Sequence, residues 1–189
     1  SLGQFSIKIA GEHNALNALA AIATCGFLGF NLKRVFSALK SFKGVGRRLE
    51  FVGKAQGVEI FDDYGHHPTE VRATLAALRG VYPKKRIIVL YQPHRYTRTA
   101  LLHKDFGSAF TFADKVFILN IYPAGEKPIA HVTSELILKS IKRRHKDVSA
   151  FTRALDVIRV LRPGDTLLTL GAGDVWMLCL DFLRRLKNH

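Results

Sequence analysis

Two carboxylates, a phenol and two imidazoles lie within six consecutive positions of this sequence, from Asp62 to His67. The stretch follows an apolar-alternating run, residues 58–61, which predicts a β-strand. It precedes apolar residues at the spacing of one helix face, with Pro68 in the first helical turn. Ligands bind beyond the carboxyl ends of strands in open α/β sheets, so these side chains are candidates for a binding site. The alternative is a polar loop in which Asp63 only caps the helix.

A second polar group, His94, Arg95 and Arg98, follows the apolar run 86–91. That run is typical of a central parallel strand that is buried on both faces. Both polar groups are therefore expected at the same edge of one sheet. Arginine forks bind carboxylate and phosphate oxygens bidentately, which predicts capture of a small carboxylate ligand or an acyl phosphate. A solvated basic loop is the alternative.

Two further pairs of residues have the chemistry of nucleotide contacts. Asn14 and Asn17 lie three positions apart on one face of a predicted helix. A side-chain amide matches the hydrogen-bonding edge of adenine, although Asn14 could instead be an N-cap. Arg47 and Arg48 begin a predicted strand and should point to opposite faces, so that one reaches a phosphate while the other is a surface charge.

The elements that must position these groups indicate an α/β fold. After residue 46, strands alternate with helices of about 10 to 15 residues, which predicts a doubly wound, mostly parallel, Rossmann-like sheet. Before it, helices are predicted over 15–28 and 32–42, and residues 4–9 alternate as in a strand. The glycine-containing break at 43–46 predicts two domains, 1–43 and 44–189.

Composition narrows the class of partner. The net charge of +14 implies acidic partners such as nucleotides, phosphorylated sugars, nucleic acid or a membrane surface. The sequence has neither an apolar run of membrane-spanning length nor a signal-peptide pattern. Cys25 and Cys179 lie in separate apolar helical patterns, which predicts buried thiols in a reducing, cytoplasmic compartment.

Two glycine-containing patterns bear on nucleotide binding. No Gly-x-x-x-x-Gly-Lys-Ser/Thr motif is present, so the 189 residues contain no P-loop. The turn Gly171–Gly173 lacks the third glycine of a dinucleotide fingerprint, because position 176 is Trp. It is interpreted as a tight turn of the sheet and not as a nicotinamide site.

The stretch Asp62–Val71 resembles the C-terminal-domain signature of the Mur ligase family. Residues 11–21 and His94–Arg98 are similar to further segments of that family, and so is Tyr122–Glu126, whose role stays open. The resemblance implies an ATP-dependent acid–amino-acid ligase of peptidoglycan precursor synthesis, which adds L-alanine to UDP-N-acetylmuramate. Residues 1–43 would be the end of the central ATP-binding domain, and 44–189 the C-terminal domain.

The same resemblance assigns the site residues. It implies ATP contacts by His13, Asn14, Asn17, Arg48 and Asp63, with Asp63 on the ribose. It implies contacts to L-alanine or the acyl phosphate by Tyr64, His66, His67, His94, Arg95 and Arg98. The phosphate loop, the Mg²⁺ ligands and the UDP-binding domain are expected upstream. This chain is therefore expected to have no metal site, no catalytic residue is assigned to it, and it is expected to be inactive alone.

Two other functions stay open. A recycling ligase of the same family, which attaches a whole peptide to UDP-N-acetylmuramate, shares the His-His-Pro sequence. A basic nucleic-acid-binding α/β domain would need basic residues clustered on one face with interleaved aromatics. The expected partners are ATP, L-alanine, UDP-N-acetylmuramate and the missing domains of the same enzyme, with neither a membrane nor nucleic acid among them.

Overall fold

The structure, a computed structural model, describes residues 3–188. Its internal contacts separate two compact units, Ser1–Gly46 and Arg47–His189, and each is described by itself. The assignment of residues 1–43 and 44–189 to two domains of a larger enzyme stays a prediction.

The first unit contains, in its described residues, the helices α1 (Glu12–Phe27) and α2 (Leu32–Ser41). Helix α2 begins after Asn31, whose side chain accepts hydrogen bonds from two backbone N–H groups of the first turn. The strand predicted over residues 4–9 is wrong, because these residues lie outside helix and strand. Alternation alone does not form a strand, since the backbone groups also need a partner strand.

The second unit is built on a six-stranded sheet within its described residues. The strands are β1 (Glu50–Ala55), β2 (Val58–Asp63), β3 (Ile87–Tyr91), β4 (Lys115–Ile118), β5 (Val148–Ala150) and β6 (Thr166–Leu170). Their spatial order is β1-β2-β6-β3-β4-β5. Strand β1 runs antiparallel to β2, and every other neighbouring pair is parallel.

Helices cover both faces of this sheet. They are α3 (Pro68–Val81), α4 (Tyr96–Leu102), α5 (Glu135–Lys142), α6 (Ala154–Ile158) and α7 (Trp176–Lys187). Apolar side chains of α3 and α5 belong to the core cluster on one face, and those of α6 and α7 to the cluster on the other. The predicted doubly wound, mostly parallel α/β sheet is therefore confirmed.

Strand β3 lies at the centre of the hydrophobic core, and each of its five residues is 0% exposed. Val89 and Tyr91 belong to the cluster that includes α3, whereas Ile88 and Leu90 belong to the cluster that includes α7. Successive strand side chains point to opposite faces, so a continuous apolar run is needed where both faces are covered. The run at 86–91 predicted this position correctly.

The polypeptide between β3 and β4 does not form one continuous helix. Helix α4 ends at Leu102, and a short 3₁₀ helix, Asp105–Ser108, follows. Gly107 in that turn approaches the carbonyl oxygen of Ser140 so closely that an added Cβ would lie 3.0 Å from it. The tight contact with α5 favours the 3₁₀ turn over a continued α-helix, a tertiary effect that the local pattern does not reveal.

The carboxyl ends of the four central strands lie in one row. Asp63 pairs with Leu170, Leu170 with Tyr91, and Tyr91 with Ile118. Each of these residues is the last of its strand. The four loops that follow therefore leave the sheet side by side, which is the position where open α/β sheets bind ligands.

The turn after β6 packs directly on the loop after β3. A Cβ added at Gly171 would lie 2.8 Å from the carbonyl oxygen of Gln92, and Gly171 has a φ of 152°. A Cβ added at Gly173 would lie 2.4 Å from Oε1 of Gln92 and 2.6 Å from Cγ of Tyr122. The two glycines thus permit a close approach of backbone and side chains, as expected for a tight turn.

The two cysteines are free thiols. Cys179 is buried and Cys25 is half-buried, so the prediction of a buried thiol is confirmed for Cys179 alone. Among residues 3–188, no helix combines the length and the apolar character needed to cross a membrane.

We expect Gly173→Ala to lower the free energy of unfolding by about 1–3 kcal/mol, because its methyl group overlaps Gln92 and Tyr122. Gly80→Ala is the matched control, since an added Cβ in this exposed part of α3 meets nothing within 4 Å. It should raise the free energy of unfolding by up to about 1 kcal/mol. Urea denaturation measures both, and equal effects of the two substitutions would contradict the close packing at Gly173.

Candidate functional site

Four aromatic rings form a row above the carboxyl ends of the strands. The ring centroids of Tyr64 and His66 are 5.5 Å apart, and those of His66 and His94 are also 5.5 Å apart. The row ends at Tyr122, whose ring stacks on His94 at 5.7 Å with an interplanar angle of 15°. The structure thus joins the predicted residues of the loops after β2 and β3, and adds a residue from the loop after β4.

Arginines lie at both ends of this aromatic row. The guanidinium carbons of Arg47 and Arg48 lie 5.1 Å and 5.6 Å from the ring centroid of Tyr64, within cation–π distance. Near the other end, Nη1 of Arg98 lies 3.1 Å from Nδ1 of His94. Arg95 is exposed at the N-cap of α4. The row and its cations form a surface suited to anionic ligands.

His94 is neutral at physiological pH. Its partial burial lowers its pKa to about 4, and the nearby Arg98, His66 and Arg95 contribute to this lowering, against the opposite effect of Glu126. A neutral imidazole can accept a hydrogen bond at Nδ1, and Arg98 is positioned to donate one. His94 therefore orients the guanidinium group without adding a second positive charge.

The prediction that Arg47 and Arg48 lie on a strand is wrong, because β1 begins only at Glu50. Arg47 has a φ of 58° and Leu49 a φ of 48°, outside the β region. Arg47 Nε donates to Asp62 Oδ2 (2.8 Å), and its Nη2 donates to the carbonyl of Gly171 (2.7 Å). The Arg48 side chain is 49% accessible, and its Nη1 lies 3.9 Å from Oε1 of Glu70.

Asp63 connects the end of β2 to neighbouring turns through hydrogen bonds. It is 3% exposed, and its carboxylate accepts hydrogen bonds from the backbone N–H of Leu49 (2.8 Å) and of Gly65 (2.7 Å). Burial raises its pKa, against the opposite effect of these hydrogen bonds. The ribose contact assigned to Asp63 stays a prediction, and it would have to use lone pairs that the backbone leaves free.

His67 is the N-cap of helix α3. Its Nδ1 accepts from the N–H of Thr69, while the Glu70 carboxylate accepts from the N–H of His67 itself, which completes a capping box. The alternative in which Asp63 is the cap is therefore wrong. His67 is exposed, unlike His66, which lies in the aromatic row. Its contact with substrate stays a prediction.

The sequence patterns did not reveal several residues that support the site. Gln92 donates through Nε2 to Asp174 (2.7 Å) and accepts at Oε1 from the N–H of Val175 (3.1 Å). Glu126 accepts hydrogen bonds from Thr97 near the start of α4. No local pattern indicates these contacts, because each joins residues that are at least 29 positions apart.

The adenine-binding candidates lie in the first turns of α1. The N-cap of that helix is Gly11, so the alternative in which Asn14 is the N-cap is wrong. Asn14 instead donates through Nδ2 to the carbonyl oxygen of Ala10 (2.7 Å). Asn17 is exposed and His13 is half-buried. Their adenine contacts stay predictions.

Among residues 3–188, no group of three or more His, Cys, Asp and Glu side chains could hold a metal ion. The aromatic row carries imidazoles beside arginines, an arrangement that suits carboxylate and phosphate oxygens and repels cations. The described residues therefore fit the anionic parts of a substrate and do not fit Mg²⁺.

We expect His94 to titrate with a midpoint near pH 4 in an NMR titration of its ring protons. The unfolded chain binds this proton near pH 6.5, so the folded state should lose stability as the pH falls from about 6.5 to about 4. Arg98→Ala should raise the midpoint, though not fully to 6.5, because burial is the largest cause. Arg153→Ala, at an exposed position outside the row, is the control. A midpoint near 6.5 in the unsubstituted protein would contradict this description of the row.

Comparisons with known proteins identify the family of this chain. Residues 47–173 match the family model described as Mur ligase, glutamate ligase domain. The chain is 46% identical over 187 residues to a UDP-N-acetylmuramate–L-alanine ligase of Bdellovibrio bacteriovorus, and 47% identical over 175 residues to one of Endomicrobium trichonymphae. These alignments cover 98% and 93% of this chain, but the chain spans only 41% and 39% of the relatives' lengths.

A solved structure of a related protein has a similar fold. The crystal structure of the UDP-N-acetylmuramate-alanine ligase MurC of Thermotoga maritima superposes with a TM-score of 0.78 at 30% sequence identity. The match covers 96% of this chain and 39% of that protein. With more than half of its residues in the matched domain, this chain belongs to the Mur ligase family.

Proposed function

We propose that this chain is the C-terminal part of an ATP-dependent ligase that joins L-alanine to UDP-N-acetylmuramate in peptidoglycan precursor synthesis. The names and identities of its relatives support this activity. The single observation that carries it is the position of Arg98, held by His94 at the carboxyl edge of the sheet. In this proposal, ATP, L-alanine and UDP-N-acetylmuramate are the substrates, and the location is cytoplasmic.

The amino-acid pocket would lie along the aromatic row. The guanidinium groups of Arg98 and Arg95 would hold the carboxylate of L-alanine, because a fork of N–H donors fixes both its position and its orientation. Tyr64, His66 and the exposed His67 would form the rest of the pocket wall. With its carboxylate held, the amino acid would present its amine to the acyl phosphate.

The bond-forming step needs little from this chain beyond positioning. In this proposal, ATP transfers its terminal phosphoryl group to the carboxylate of UDP-N-acetylmuramate, which gives an acyl phosphate and ADP. The amine nitrogen of L-alanine then attacks the carbonyl carbon of that acyl phosphate and the new C–N bond forms. The C–O bond to phosphate breaks as phosphate leaves, and the nitrogen gives up a proton to the phosphate or to solvent. Arginine charges near the reacting carbonyl would also stabilise the negative charge that develops there. Holding the two reactants in contact supplies much of the rate enhancement in reactions of this kind.

The nucleotide contacts would involve five residues of this chain. Arg48 has the exposure and charge for a phosphate, and Asp63 would accept from the ribose hydroxyls. Asn14, Asn17 and His13 would contact adenine. Mg²⁺ would neutralise the phosphates of ATP, and its ligands are expected outside the residues of this chain.

In the complete ligase, Arg98→Ala should raise the KM for L-alanine by about 30- to 1,000-fold, because a charge-assisted bidentate contact is lost. The KM for ATP should change little. Steady-state kinetics with each substrate varied in turn measure both constants. Arg184→Ala, at a side chain that is 72% exposed, is the matched control and should leave both unchanged.

Two outcomes of this experiment would argue against the assignment. An unchanged KM for L-alanine would refute the role of Arg98 in the amino-acid pocket. A loss confined to kcat at saturating L-alanine would place Arg98 on the acyl phosphate instead.

The 189-residue chain by itself should neither hydrolyse ATP nor ligate L-alanine, since its sequence contains no P-loop. A phosphate-release assay with Mg²⁺, ATP, UDP-N-acetylmuramate and L-alanine tests this expectation, with the complete ligase as the positive control. Phosphate release from the purified chain above the rate without protein would contradict it.

A further inference from the structure

The segment Tyr122–Glu126, whose role the sequence left open, contacts the loop after β3 at several points. The N–H of Tyr122 donates to the carbonyl of Pro93 (2.8 Å), and the N–H of Arg95 donates to the carbonyl of Tyr122 (2.8 Å). These bonds form a parallel bridge between His94 and Tyr122, whose rings also stack. The segment therefore holds the polypeptide immediately before α4 in place.

Helix α4 receives its N-terminal cap from the same segment. Arg95 occupies the N-cap position with a φ of 71° and makes no side-chain capping bond. The Glu126 carboxylate supplies that cap instead, because it accepts from the N–H of Thr97 (3.0 Å) and from the Thr97 hydroxyl (2.6 Å). These hydrogen bonds lower the pKa of Glu126, so it stays ionised at neutral pH.

The turn that carries Glu126 is itself constrained. Ala124 and Gly125 both have positive φ, 49° and 85°. The N–H of Glu126 donates to the carbonyl of Pro123 (3.0 Å), which closes the turn. A non-glycine residue in the left-handed region persists only where surrounding contacts fix it. The carboxylate is thus directed at α4 by a turn of defined shape.

Arg98 is the third residue of α4, one position after Thr97. The direction of its guanidinium group therefore depends on the first helical turn, whose free N–H groups need a partner. We propose that Glu126 is a positioning residue: it caps α4 and thereby sets the orientation of Arg98 for the substrate carboxylate. This inference rests on the proposed function, and it assigns Glu126 no contact with the amino acid.

The capping role is tested without any activity. In Glu126→Ala, the backbone N–H groups of α4 should exchange with solvent about tenfold faster, as measured by NMR hydrogen exchange on the 189-residue chain. Glu135→Ala is the matched control, because Glu135 is exposed and pairs with Lys139 on its own helix. Unchanged exchange of α4 in Glu126→Ala would overturn the proposal, whichever substrate the enzyme uses.

The proposed effect of Glu126 on substrate binding through Arg98 is tested by a double-mutant cycle in the complete ligase. Glu126→Ala should raise the KM for L-alanine about fivefold or more in the unsubstituted enzyme, and less than about twofold in the Arg98→Ala background. The KM for ATP should stay within about twofold. Glu126→Gln keeps one acceptor oxygen and should give a smaller rise than Glu126→Ala.

The outcomes separate the two proposals. An equal rise in KM in both backgrounds would overturn the positioning role, because Glu126 would then act on the amino acid directly, for instance on its ammonium group. If the unsubstituted ligase does not use L-alanine at all, the proposed function fails, whereas faster exchange of α4 in Glu126→Ala would still support the cap.

Discussion

The site depends on one buried charge, the carboxylate of Asp62 at the end of β2. Its side chain is 4% exposed and lies between the guanidinium group of Arg47 and the hydroxyl of Thr169, which donates to it. Burial of a charge is costly unless it is paired and hydrogen-bonded, so this carboxylate requires both partners. Arg47 extends the connection to the carbonyl of Gly171. The pair therefore fixes the turn before β1 against the turn after β6.

Several loops in the second unit are held by polar contacts instead of by regular structure. Gln92 connects the loop after β3 to Asp174 and Val175, and Glu126 connects the loop after β4 to Thr97. Such networks are stabilising only when every member has a partner. Their consequence is that the loops after four strands keep defined positions, which fixes the aromatic row and its arginines relative to one another.

The residues in unusual backbone conformations belong to the same network. Arg47, Leu49 and Arg95 all have positive φ, and each has a hydrogen bond through its backbone N–H. Such conformations cost free energy and tend to occur at functional sites, where surrounding contacts determine them. Here they turn the chain sharply at the two points where arginine side chains enter the site.

The sequence by itself determined the mostly parallel sheet and the two segments that supply most of the aromatic row, because hydrophobic periodicity and the polar strand ends are local signals. The buried run of β3 and the stretch that begins at Asp62 are examples. Only the tertiary structure decided that two neighbouring arginines, and likewise two neighbouring histidines, have different contacts. Arg47 is bound to Asp62 while Arg48 stays half-exposed, and His67 caps a helix while His66 joins the aromatic row. Adjacent residues of one type look alike in sequence, and their roles differ because partners far along the chain, such as Gly171 and His94, lie beside only one of them.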